Sequence, residues 1–233
     1  MSVFIPLAIL ALAILIMTFL NLTPGVYALF CHYCYGKFDK KKTQDFSFFF
    51  ILGAEIVASC LFLSTFLLVA IVIADFSRDV INYIAWVLVG LFIALAIASL
   101  FFYFRRGDGT RLFIPRKIAA CYNAHAKNAK TRSDAFCLGA LSGIPELLFT
   151  LPLYIVTSGE ILKMSSSHPG SSLLTILYIV IPIIPLFIMR FNYHQGHNLA
   201  DIERSRVRNK IFTRAIMCVS YLLIATIIIC FRV

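Results

Sequence analysis

The chain has 233 residues, of which 61% are hydrophobic and only 14% charged, with a mean hydropathy of +0.90. Soluble domains carry about 45–50% apolar and about 25% charged residues. This composition excludes a soluble enzyme, a nucleic-acid module and a disordered chain, and it predicts an all-α integral membrane protein.

A helical span needs about 20 apolar residues. Six segments qualify: 3–35, 46–74, 81–104, 135–157, 172–189 and 211–231. They use most of the chain, so the expectation is one transmembrane domain of six helices. The formal charge of +10 is unevenly placed. Of 21 Lys and Arg, 18 fall in or beside three connections: 36–46, the basic stretch 105–132, and 190–210 with its margin to Arg214. The other side has only Arg78, Lys163 and Arg232. The positive-inside rule then places these connections in the cytoplasm and both termini outside, in a plasma (inner) membrane. The expected partner of the basic charge is anionic lipid, with no nucleic acid. The N-terminal stretch has no basic n-region and a long apolar run, so it reads as a retained first span. The seven Cys lie mostly in or near spans and form no secreted-type disulfide framework.

The first segment is too long for one straight helix. It is interrupted at Asn21-Leu22-Thr23-Pro24-Gly25, where Pro removes a backbone donor and disfavours helix before it. The fourth has a matching interruption at Ser142-Gly143-Ile144-Pro145-Glu146, and Pro152 follows. Each break lies about ten residues from the basic face, roughly 15 Å deep. Free backbone groups at that depth must be buried in protein or line a wet cavity. The two halves have similar span lengths and, three being odd, cross in opposite senses. This pattern predicts a 3+3 inverted repeat with broken helices 1 and 4. The fifth segment carries Pro182 and Pro185 and is expected to bend. Gly139 and Gly143 make a G-x-x-x-G step, expected to allow close helix packing. Phe101 to Phe104 before Arg105 and Arg106 read as an aromatic belt with a basic anchor. Residues 115–130 read as a short interfacial helix.

Six spans with a Pro-Gly break in the first and a Pro break in the fourth resemble the lysine-exporter (LysE-like) superfamily, which includes the membrane domains of the CcdA and DsbD electron carriers. Exporter members often carry Pro-Gly-Pro in span 1 and Asn-Pro-x in span 4. The counterparts here are Thr23-Pro24-Gly25 and Ile144-Pro145-Glu146, which depart at the third residue. The electron carriers place a Cys beside each Pro, where this chain has Gly25 and Glu146. The resemblance therefore implies export of a small solute more than electron transfer.

Two intramembrane carboxylates stand out. Glu146 follows a break, where the positive end of a helix favours its charge. Glu55 lies about ten residues into the second span among small residues, Gly53, Ala54, Ala58 and Ser59. Two carboxylates at one depth can share a proton. Each also has a purely structural reading, as a cap or an interhelical hydrogen bond. No Lys or Arg lies deep in a span, so the expected partners are neutral: Asn21, Thr23, Ser142 and Thr150. That lining suits a proton, a cation or a substrate amine better than an anion.

Cys31 and Cys34 form Cys-His-Tyr-Cys, a spacing suited to reversible disulfide chemistry, and Cys137 lies near the start of span 4. His194, His197 and Asp201 share a face on a helix, but a solvated, self-paired surface is the plainer reading, so no metal and no cofactor is expected. There is no phosphate loop, Rossmann fingerprint or hydrolase motif, so no enzyme is expected. The primary expectation is a small secondary transporter, an exporter of a small solute or cation, with a homodimer as its expected assembly. Its site would comprise Glu146, Glu55, Asn21, Thr23, Pro24, Gly25, Ser142, Gly143 and Pro145. The alternatives are a thiol carrier using Cys31, Cys34 and Cys137, and a non-catalytic membrane scaffold or assembly protein.

Overall fold

The computed structural model describes residues 4–21, 40–101, 124–126, 128–143, 147–165, 171–194 and 210–232. Among these, every regular element is helical. In chain order they are α1 (Phe4–Asn21), α2 (Lys40–Asp75), α3 (Arg78–Phe101), α4 (Arg132–Ser142), α5 (Leu147–Ser165), α6 (Ser171–Val180), a 3₁₀ turn (Ile181–Ile183), α7 (Ile184–His194) and α8 (Lys210–Arg232).

Three helices, α2, α3 and α5, are long and apolar enough to cross a membrane, while α1, the α6–α7 run and α8 are shorter apolar helices. The outer faces of α2 and α3 carry large exposed apolar side chains, including Leu67, Leu68, Ile71, Val87 and Ile97. Water penalises an apolar surface of that extent, whereas lipid does not. A membrane location follows. At about 1.5 Å per residue, the 36 residues of α2 run roughly 54 Å, well beyond the ~30 Å hydrocarbon core. Its lysine-rich first turns are therefore expected to stand clear of the hydrocarbon.

Helix α5 is the hub. It packs against α1, α2, α3 and α6, while α3 packs along α8 and α1 against α8 and the 3₁₀ turn. Its buried set includes Phe149, Leu153, Tyr154, Val156 and Ile161. Tyr221 of α8 lies over Phe92 of α3, their rings 6.0 Å apart, and its hydroxyl donates to the Phe149 carbonyl at 3.4 Å. This one aromatic joins three helices.

Helix α4 starts on a capping box. The Thr131 hydroxyl accepts from the Asp134 N–H at 3.2 Å, and the Asp134 carboxylate accepts from the Thr131 and Lys130 N–H groups, each at 2.9 Å. The N–H of Lys130, then the N–H and hydroxyl of Thr131, hold the Asp134 carboxyl below its ordinary range. An ion pair from Arg132 to Asp45 at 2.7 Å ties α4 to α2. Both side chains are exposed, so it contributes about 0–1 kcal/mol.

Helices α2 and α4 approach through glycine. A Cβ on Gly139 would collide with the Phe50 carbonyl, and one on Gly53 would collide with the Phe136 carbonyl. The contact is reciprocal, backbone to backbone, as small residues permit in membranes. It differs from the expected G-x-x-x-G step. Gly143 has open space around it and caps α4 with φ −73°. Gly139 packs on the Phe50 backbone of α2, and Gly53 of α2 packs on the Phe136 backbone of α4.

The fourth segment also extends further than hydropathy indicates. Helix α5 continues to Ser165, past the expected limit of 157. Ser158 and Glu160 read as the end of a span, yet both are buried against neighbouring helices. The fifth segment bends as its prolines require: α6 ends at Val180, Pro182 occupies the 3₁₀ turn, and α7 resumes at Ile184.

Candidate functional site

A cavity of about 70 Å³ opens between α2, the α4–α5 junction and the α6–α7 turn. Each water-sized occupant needs about 10–15 Å³ of such space, so the cavity takes a few small groups. Its wall includes Glu55, Ser142, Gly143, Thr150, Tyr154 and Tyr178, and Met17 of α1 reaches it.

The elements explain why these residues meet. Helix α4 ends at Ser142 with Gly143 as its C-cap, and α5 begins at Leu147. Helix α6 ends nearby, and Pro182 of the 3₁₀ turn also lines the cavity. The glycine contact brings α2 against α4 within one turn of Glu55, which places that carboxylate beside the end of α4. Glu55 is half-buried.

Two polar groups of the wall are placed to accept. Glu55 Oε1 accepts a long hydrogen bond from the Ser59 hydroxyl at 3.5 Å. The Ser142 hydroxyl donates to the Gly139 carbonyl at 2.6 Å, which spends its only proton and leaves its lone pairs for another donor. The far wall is aromatic. The Phe62 ring lies 4.8 Å from Tyr178 and 5.5 Å from Tyr154, centroid to centroid. The Tyr178 hydroxyl is buried and has no hydrogen-bond partner among the described residues. Among the described residues, no Lys or Arg lines the cavity. A wall with one carboxylate, a hydroxyl acceptor and aromatic rings suits a group rich in N–H donors or bearing positive charge.

Of the residues singled out in the sequence, the structure brings Glu55, Ser142, Gly143 and Thr150 to this cavity. Asn21 ends α1. Thr23, Pro24, Gly25, Pro145, Glu146, Cys31 and Cys34 lie outside the described residues. Cys137 is an exposed free thiol on α4 and does not line the cavity. His194 ends α7, while His197 and Asp201 lie outside the described residues. Among the described residues, no three His, Cys, Asp or Glu group as metal ligands.

Buried polar residues that escaped sequence reasoning include Tyr178, Ser158 and Glu160. Their signal was faint but present. For Ser158 and Glu160 it lies in α5, where Thr150, Tyr154, Thr157 and Ser158 recur at helical spacing and give a polar stripe that a lipid-facing helix would not carry.

No family model, curated protein or solved structure matches this chain.

Proposed function

We propose that the protein is a small six-span secondary transporter that moves a small cation or cationic solute, with Glu55 and Glu146 serving proton or ion coupling. The observation that carries this reading is the cavity itself. It sets a half-buried acidic side chain beside a helix end of an apolar helical protein, with no basic residue among the described residues of its wall. An intramembrane carboxylate is costly to keep unless it has a use.

The neighbour pattern supports a 3+3 inverted repeat. The segments are α1, α2, α3, then α4–α5, α6–α7 and α8. Exchanging each segment of the first half with its counterpart in the second leaves the set of neighbouring pairs almost unchanged. The pairs α1 with α5, α2 with α7 and α3 with α8 map onto themselves. The α2 contact with α4–α5 exchanges with the α1 contact with the 3₁₀ turn and α7. The α1–α8 pair exchanges with α3–α5. Only α5 with α6, consecutive in the chain, lacks a counterpart among these pairs. Rocking one half against the other would give the cavity alternating access.

The test is coupled flux. Purified protein in liposomes carrying a pH-sensitive dye is exposed to gradients of small cationic and zwitterionic solutes. A solute that moves should shift internal pH with wild type and not with Glu55→Gln or Glu146→Gln, both folded by size exclusion. Equal pH coupling in wild type and both variants would sink the carboxylate role.

A further inference from the structure

A second cavity lies at the other end of the α2–α4 contact. It measures about 450 Å³, is open to the surface, and is lined by Lys41, Lys42, Asp45, Lys130, Thr131 and Arg132. Four cationic side chains face one carboxylate, and that carboxylate is already paired with Arg132 at 2.7 Å. Among the described residues the other cations of the pocket are Lys41, Lys130 and Lys42, whose ammonium lies 5.7 Å over the Phe46 ring. The adjacent N-terminus of α4 adds little attraction of its own. Asp134 and Thr131 already take up N–H groups there. The lysine ammonium groups are therefore what an anion would meet.

The surroundings are those of a membrane–water interface. Phe48 and Phe49 follow within two turns of α2. The Arg132 guanidinium lies 5.5 Å from the Phe49 ring centroid, and that of Arg190 lies 5.2 Å from the Phe48 centroid. Cations over aromatic rings suit the headgroup level, where charge and apolar surface meet. Below that level the same face of α2 turns apolar. From Lys41 and Asp45, helical steps of three, four or seven residues lead to Phe48, Leu52, Ile56, Leu63 and Leu67. All five are exposed, from 37% at Phe48 to 64% at Leu67. A cationic pocket thus continues into an apolar track along one helix.

A free phosphate would use only the pocket. A molecule with an anionic head and long acyl chains would use both parts. We propose that this pocket is a binding site for the phosphate of an anionic phospholipid, whose acyl chains lie along the exposed stripe of α2. The site is separate from the Glu55 cavity and does not depend on the transport reading.

The test uses the full-length protein in nanodiscs of phosphatidylcholine doped with spin-labelled phosphatidylglycerol or spin-labelled phosphatidylcholine. The motionally restricted fraction reports lipid held by the protein. Wild type should retain phosphatidylglycerol in preference to phosphatidylcholine. Each lysine beside an anionic lipid strengthens association by up to about fivefold. The variant Lys41→Gln/Lys42→Gln/Lys130→Gln should therefore lose the preference, while Arg78→Gln at the start of α3 should keep it. Should the triple variant not fold, Lys130→Gln alone should weaken the preference by up to about fivefold. Excess free glycerol phosphate should leave the restricted fraction unchanged. The proposal is overturned if the folded lysine variants keep the wild-type preference. It is equally overturned if free glycerol phosphate displaces the lipid, which would make this a soluble-anion site.

Discussion

Replacing Gly139 with alanine probes the contact that holds α4 against α2. A Cβ at that position would stand 2.8 Å from the Phe50 carbonyl carbon and 3.0 Å from its Cα. Carbon atoms in ordinary contact sit about 3.5–4.0 Å apart. The helices must therefore separate by roughly 1 Å. The obstacle is backbone, which cannot swing aside like a flexible side chain. Overpacking of this kind costs about 1–3 kcal/mol. Gly53→Ala meets the Phe136 carbonyl in the same way and should cost a similar amount. The double substitution should cost less than the sum, because one separation relieves both clashes. Gly90 of α3 is the control, since nothing lies within 4 Å of an added Cβ. There alanine removes the backbone entropy penalty of a helical glycine and should stabilise by about 0.4–1 kcal/mol. The measurement is unfolding in detergent micelles by denaturant titration followed by circular dichroism. Wild-type stability in Gly139→Ala, or a loss in Gly90→Ala as large as that in Gly139→Ala, would refute the close approach.

Other outcomes follow from single contacts. Thr131→Ala removes half of the capping box on α4 and should cost about 0.5–2 kcal/mol in the same titration. The Asp134 carboxyl is held below its ordinary range by the Lys130 and Thr131 N–H groups. Its contribution should be fully present above the ordinary Asp value of about 3.9 and fade as pH falls below it. Comparing acid unfolding of wild type with Asp134→Asn checks this, and the variant should show the shallower dependence in that window. Tyr221→Phe deletes the long hydrogen bond to the Phe149 carbonyl but keeps the ring over Phe92. It should cost about 0.5–1.5 kcal/mol, nearer the low end, and a loss above about 3 kcal/mol would mean that the ring packing had changed too.

Some of this molecule was legible from the chain alone because the relevant physics is local or compositional. Apolar content sets the membrane location, since lipid tolerates what water penalises. Proline sets helix limits by removing a donor, so the bend at Pro182 and the end of α4 near Ser142-Gly143 fall where the residues place them. A second class of feature needed the tertiary structure, because it depends on residues distant in sequence. Gly53 and Gly139 are 86 positions apart, and neither glycine specifies the other. Ser158 and Glu160 look like the end of a span to a hydropathy window, which averages over all faces of a helix. Burial depends on which face meets protein, and only the packing of α5 decides that. The same holds for Glu55. Its residue type and depth can be read from the chain, but the wall of Ser142, Thr150, Tyr154 and Tyr178 around it is assembled from three other helices. The lysines of α2 divide in the same way. The sequence places their charge at the start of α2, and folding of Lys130 and Arg132 beside them makes that charge a pocket.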